Sequence, residues 1–273
     1  MAERLPGRIT EAERQRLAKR YTHDPQAYDY FLRGQALFLV RRTQDNQEAR
    51  ALFGKALELD PRFARAYAAL AMTYAMDYRY QSSAEASAPL KRALELAETA
   101  RQIDAGIPEV YWALGFVQAQ SRRHEEALKS LQKAVELNPS YADAYALMGG
   151  IHTYLGRPAK SIPLLRTALR LNPDGGHLYY LLMGRAHLFE NDVEQALFNL
   201  RQAHARNPDN LECRLFLIAS LMAHGEGGEG EWEAEQIRTL EPGFSARAWL
   251  GTYPLTSASH RKTLLALLAK AGL

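Results

Sequence analysis

Residues 108–141 read PEVYWALGFVQAQSRRHEEALKSLQKAVELNPSY. Apolar residues recur at helical spacing twice in this stretch, with a polar interruption at Ser121 to His124, and Pro139 closes the second run. Proline lacks the amide hydrogen that a helix interior uses and crowds the preceding turn, so Pro139 acts as punctuation. A helical hairpin is expected. The closing phrase returns along the chain: VELNP, LRLNP and HARNP, then TLEP, put prolines at 139, 173, 208 and 242, spaced by 34, 35 and 34 residues. ALELDP ends on Pro61, and RQIDAG supplies a further copy with Ala105 where proline would stand. A fixed period of about 20–50 residues means stacked units rather than one globule. Six units follow, at 27–63, 64–107, 108–141, 142–175, 177–210 and 211–244.

Small residues hold a common register through these units. The eighth position reads Gly34, Ala71, Gly115, Gly149, Gly184 and Ile218; the twentieth reads Ala49, Ala93, Ala127, Ser161, Ala196 and Gly230. Gly or Ala lets two helix backbones approach where a larger side chain would hold them apart. The first unit carries about three extra residues near Arg41 to Asn46, and the second about ten within Met76 to Pro89, where Tyr78 and Tyr80 form either a contact patch or packing. Ahead of the array, Thr10 and Glu13 predict a capped helix over Glu11 to Arg20, so 1–26 is read as a leader helix. Behind it, HRKTLLALLAKAGL predicts an amphipathic helix within a capping segment, 245–273.

On YWALG at Tyr111 to Gly115, with Ala127, Leu131, Ala134 and Pro139, the chain resembles the tetratricopeptide repeat. The resemblance spans 27–244 and implies an all-α fold: a right-handed α-solenoid of six TPR-like hairpins with an N-terminal helix and a C-terminal capping helix. RYTHDPQAYDYFLRG, ALELDPRFARAYAALA, the lengthened second unit and the AKAGL terminus are similar to a narrower group. That group is the C-terminal tetratricopeptide region of bacterial class III adenylate/guanylate cyclases and related winged-helix regulators. There such a region accompanies an effector domain and binds partners, whereas neither the strands nor the paired metal-binding aspartates of a cyclase domain are evident here.

Composition narrows the function classes. With 34 Lys+Arg against 31 Asp+Glu the net charge is +3, too small to demand nucleic acid. No apolar run approaches the ~20 residues of a membrane span, and the single cysteine, Cys213, calls for no oxidising compartment, so a cytoplasmic protein is expected. The eight histidines show no HExxH spacing; His152 and His187 fall at the eleventh unit position and read as packing residues rather than metal ligands. HGEGGEGE at 224–231 has glycines, but also three glutamates that would repel phosphate and no Walker lysine, so it reads as a flexible hairpin turn. With no armed nucleophile or acid–base pair, neither an enzyme nor a cofactor is expected.

What remains is a surface. The resemblance assigns the concave wall to the first helix of each unit, which selects Tyr28, Phe31, Phe38, Met72, Trp112, Phe116, Leu181, Arg185 and Leu188 as groove residues for a protein or peptide ligand. Arg65 and Arg185 alone are basic on that wall, too far apart to fork one terminal carboxylate. Trp112 and Phe116, one helical turn apart, form the most compact aromatic anchor. The expected role is a non-catalytic scaffold or regulatory module with an apolar groove, which the narrower resemblance would place in a cyclase-like signalling protein; the alternative is a self-associating solenoid that forms homo-oligomers.

Overall fold

The computed structural model describes residues 21–40, 42–80 and 88–273. The expected leader helix at Glu11 to Arg20 lies outside these residues, as does most of the polar stretch after Tyr80. Among the described residues there are fourteen α-helices and no strands. They pair in chain order: α1 (Pro25–Val40) with α2 (Thr43–Leu59), α3 (Ala64–Tyr80) with α4 (Ala88–Ile103), and α5 (Pro108–Gln120) with α6 (His124–Leu137). Three more hairpins follow: α7 (Ala142–Tyr154) with α8 (Pro158–Leu171), α9 (Gly176–Phe189) with α10 (Val193–Arg206), and α11 (Leu211–His224) with α12 (Gly227–Leu240). A short α13 (Ala246–Thr252) and a final α14 (Ala258–Lys270) complete the chain.

The small-residue register has a direct geometric cause. A Cβ placed on Gly115 would stand 2.8 Å from Leu131 Cγ and 3.2 Å from the carbonyl oxygen of Ala127, and one on Gly149 would meet Leu165 and the Ser161 carbonyl at 2.8 and 3.2 Å. On Gly184 the same atom would lie 2.5 Å from Leu200 Cγ and 3.0 Å from the Ala196 carbonyl. The eighth residue of the first helix thus faces the backbone of the twentieth and the leucine one turn later, and any side chain there would pry the hairpin open.

The turns between hairpins follow from the Asx residue before the proline position. Asp60, Asp104 and Asn138 accept a hydrogen bond from the amide two residues on, at 2.9, 2.8 and 3.0 Å. This side-chain turn needs no proline, which explains why the unit ending at Ala105 keeps the architecture. In the last hairpin only Gly225, with φ of 94°, and Glu226 form the turn. His224 ends α11 and Gly227 to Glu231 begin α12, so most of HGEGGEGE is helical and not the flexible hairpin turn expected. Glutamates favour the positive end of a helix, and Arg201 pairs with both Glu226 and Glu229 at 2.6 and 2.7 Å.

Stacking the hairpins curls the array. Asn207 Nδ2 donates to the Val40 carbonyl at 3.4 Å, and Arg42 lies 3.9 Å from Asp209. The end of α1 therefore meets the turn between the fifth and sixth hairpins, and the first helices of the middle units face an enclosed interior. Two glycines test the packing account. Gly184→Ala should lower stability by about 1–3 kcal/mol through overpacking, whereas Gly54→Ala, in α2 with open space beyond it, should raise it by about 0.5–1 kcal/mol. Urea unfolding of the two variants checks both signs.

Candidate functional site

The interior is roofed by the protein's own C-terminal segment. After α12 the chain turns back and runs past the C-terminal ends of α3, α5, α7 and α9, where unsatisfied carbonyls and turn residues supply its partners. Arg79 at the end of α3 donates to Thr252 Oγ1 at 3.1 Å, and its guanidinium lies 5.1 and 4.6 Å from the ring centres of Trp249 and Tyr253. Arg122, in the turn after α5, donates to the Gly251 carbonyl at 2.5 Å. His124 Nε2 and the Pro254 carbonyl lie 2.8 Å apart, which assigns the ring hydrogen to Nε2. The amide of Thr256 donates to the Tyr154 carbonyl at 2.9 Å, and His260 stacks on Phe189 with ring centres 4.2 Å apart.

The deepest contact of this strap is electrostatic. Arg185, on α9, is fully buried. It donates to Glu212 Oε1 at 3.1 Å, to the Gly150 carbonyl at 3.3 Å and to the Tyr253 hydroxyl, and stands 4.3 Å from the Tyr154 ring centre. The Tyr253 hydroxyl in turn donates to Glu212 Oε1 at 2.6 Å. Burial pushes the Tyr253 phenol well above its ordinary value. Burial alone would lower the Arg185 guanidinium, but Tyr154, Tyr253 and Glu212 around it raise it, so the cation persists at the core of the fold.

Between the strap and the first helices a chamber of about 390 Å³ remains. Its apolar walls include Trp112 and Phe116 from α5, Leu178 and Leu181 from α9, and Phe244 and Trp249 from the strap. The rings of Trp112 and Phe116 stack at 5.8 Å, and Trp112 Nε1 donates to the Asp143 carbonyl at 3.0 Å, which fixes the indole against the wall. A concave, largely apolar space of this size with a few polar groups is the usual form of a binding site.

The nine residues expected to line the groove fall in different places. Trp112, Phe116 and Leu181 line the chamber, Phe116 and Leu181 as buried core residues that also border it. Tyr28, Phe31, Phe38 and Met72 are buried in the core of the first two and a half hairpins, with Phe31 and Phe63 ring centres 5.0 Å apart. Leu188 is buried in the core beneath the strap, and Arg185 faces the chain's own Tyr253 and Glu212. Arg65 is also engaged, 3.4 Å from Glu109 and over the Tyr21 ring at 4.2 Å. Sequence reasoning placed Glu212 on the wall and Arg79 beside the candidate patch of Tyr78 and Tyr80, but missed Trp249 and Tyr253. The one available signal was the pairing of Trp249 with Tyr253, one helical turn apart in a short polar context.

Reactive groups are muted. Cys213 is buried, and burial pushes its thiol up to about 12, which leaves no thiolate at neutral pH. Among the described residues no cluster of His, Cys, Asp or Glu could hold a metal ion, and no helix is long and apolar enough to cross a membrane. Tyr78 and Tyr80 lie on the extension of α3, and Tyr80 reaches the chamber wall.

Comparison with known proteins agrees with this architecture. Residues 123–156 match the family model of the TPR repeat and residues 142–174 that of the tetratricopeptide repeat. Tetratricopeptide repeats are thus recognised over residues 123–174, within an all-α array of stacked hairpins. It is 31% identical over 120 residues to "Putative adenylate cyclase 3" of Rhizobium meliloti (strain 1021), a match covering 44% of this chain and 20% of that protein. The chain thus spans about a fifth of its curated relative. Among solved structures it resembles a thermophilic TPR protein of Thermus thermophilus, with a TM-score of 0.58 and 21% identity over 72% of this chain and 99% of that one. It also resembles Pseudomonas aeruginosa pilF, with a TM-score of 0.54 and 21% identity over 86% and 97% of the two chains. A chain of the APC/C hetero-tetramer Cut9–Hcn1 gives a TM-score of 0.64 at 16% identity, covering 95% of this chain and 48% of that one.

Two predictions concern the strap. Tyr253→Phe removes one of the few partners of a buried cation, so it should cost about 1–3 kcal/mol and raise amide exchange across Trp249 to Ser257, measured by mass spectrometry. Burial holds His124, His152 and His260 below their ordinary value of 6.5, and His124 Nδ1 is buried without a partner. The unfolded chain therefore binds protons more readily. Their contribution is complete above pH 6.5 and is lost as the pH falls through the depressed folded-state values. Thermal midpoints should fall on acidification below that point, with a shallower slope in His124→Gln, whose amide can still donate to the Pro254 carbonyl.

Proposed function

We propose that this chain is a non-catalytic scaffold or regulatory module that binds a protein or peptide by taking apolar side chains into the chamber beneath the strap. The observation that carries this reading is the stacked pair of Trp112 and Phe116, which lines the chamber wall at the edge of the core, Phe116 buried and Trp112 half-buried. Aromatic anchors in an apolar recess contribute disproportionately to binding. The likeness to the Rhizobium meliloti cyclase-named protein supports a place in a cyclase-like signalling protein, with the solenoid as the partner-sensing part.

The chain's own tail is informative about the mode of binding. Trp249 and Tyr253 insert from a short helix, in the way an amphipathic ligand segment presents side chains one turn apart. The chamber lies beside that inserted helix, so a partner would pack on both the repeat wall and the strap.

The test is affinity capture from the native source with the full chain and with Trp112→Ala combined with Phe116→Ala. Loss of both rings should reduce capture of the specific partner by at least about tenfold, the effect of removing hot-spot residues, while far-ultraviolet circular dichroism stays helical. Unchanged capture would refute the chamber as the partner site.

A further inference from the structure

We infer that the chamber takes an apolar group bearing a cationic hydrogen-bond donor, an amine or a guanidinium, as on a lysine or arginine flanked by apolar residues in the partner. This deepens the binding reading above and rests on the chamber being the site. The apolar walls account for the body of the ligand, and the polar groups at the chamber account for its head. Asp143, Glu212 and Glu241 all line it, against the single guanidinium of Arg79. Arg79 is buried and committed to the strap, through Thr252 and the rings of Trp249 and Tyr253. Glu212 has one oxygen engaged by Arg185 and Tyr253, and Asp143 accepts from the Tyr179 hydroxyl. Asp143 and Glu241 remain exposed to solvent.

An independent observation points the same way. Gln120 lines the chamber, is 6% exposed, and keeps its buried Oε1 without a hydrogen-bond partner. A buried acceptor without a partner is costly, and a ligand donor would relieve it. The charged groups of the site are thus mostly anionic. The interior also accommodates cations on aromatic faces elsewhere. Arg65 lies over Tyr21 and Phe31, Arg79 over Trp249 and Tyr253, and Arg185 over Tyr154, at 4.2 to 5.1 Å from the ring centres. A carboxylate-bearing ligand would instead meet like charge with no uncommitted guanidinium to receive it.

Two fragments with one apolar body and opposite heads separate these chemistries: phenylbutylamine and phenylbutyrate, titrated calorimetrically into the full chain at low ionic strength. The amine should bind at least about tenfold more tightly than the acid, and added salt should narrow the ratio. In Asp143→Asn combined with Glu241→Gln, two exposed positions, the ratio should fall towards one while helicity is unchanged. Equal or tighter binding of phenylbutyrate, absence of amine binding, or a preference that survives in the double variant would each overturn the inference. The capture experiment is read separately. Ring-dependent capture without an amine preference defeats this inference alone, and an amine preference with ring-independent capture defeats the partner reading alone.

Discussion

The ion pair of fully buried Arg185 with partly exposed Glu212, closed by the Tyr253 hydroxyl, ties together distant parts of the molecule. Moving a guanidinium out of water costs several kcal/mol unless its donors are met; here both terminal nitrogens are met, from three separate parts of the chain, while Nε is buried without a partner. Gly150 on α7, Glu212 on α11, Arg185 on α9 and Tyr253 on the strap must hold their spacing for the charge to be tolerated. Three hairpins and the C-terminal segment are therefore tied to a single point. Around it the aromatic faces of Tyr154 and Phe216 complete the enclosure.

That constraint reshapes what the solenoid can offer. A bare stack of hairpins would expose a long open trough, whereas this chain covers much of its concave face with its own last residues. The strap has few main-chain ladders to hold it and relies on side chains from the turns: Arg79, Arg122 and His124. What survives is a chamber between α5, α9 and the strap, with a largely apolar body and mostly anionic charged groups. Phe244 and Trp249 of the strap belong to the chamber wall, so the position of the strap sets the chamber's shape.

The repeat architecture was legible because it is local. Asp60, Asp104 and Asn138 close their turns with amides two residues away, and Gly115 meets Ala127 and Leu131 within the same unit. Each feature recurs at one period, so the pattern can be read without knowing how units sit together. The groove residues were harder to place. Family register selects a face of each first helix, but the same face serves as core in one unit and as chamber wall in another, according to how the array curls. Phe31 and Trp112 both hold the fifth unit position; one packs against Phe63 and the other stacks with Phe116 on the chamber wall.

By itself the amino-acid sequence determined the helical hairpins, their number and their internal packing, since backbone propensity, turn chemistry and small-residue spacing act over fewer than about forty residues. Only the tertiary structure decided that the chain roofs its own groove, that Arg185 is a buried hub instead of a ligand contact, and that Trp112 and Phe116 stand at a chamber. Those outcomes depend on contacts between residues 68 to 173 positions apart, such as Arg185 with Tyr253 and Arg79 with Thr252. No periodic signal records them, because they arise once, from the curvature of the whole stack and the path of the segment that follows it.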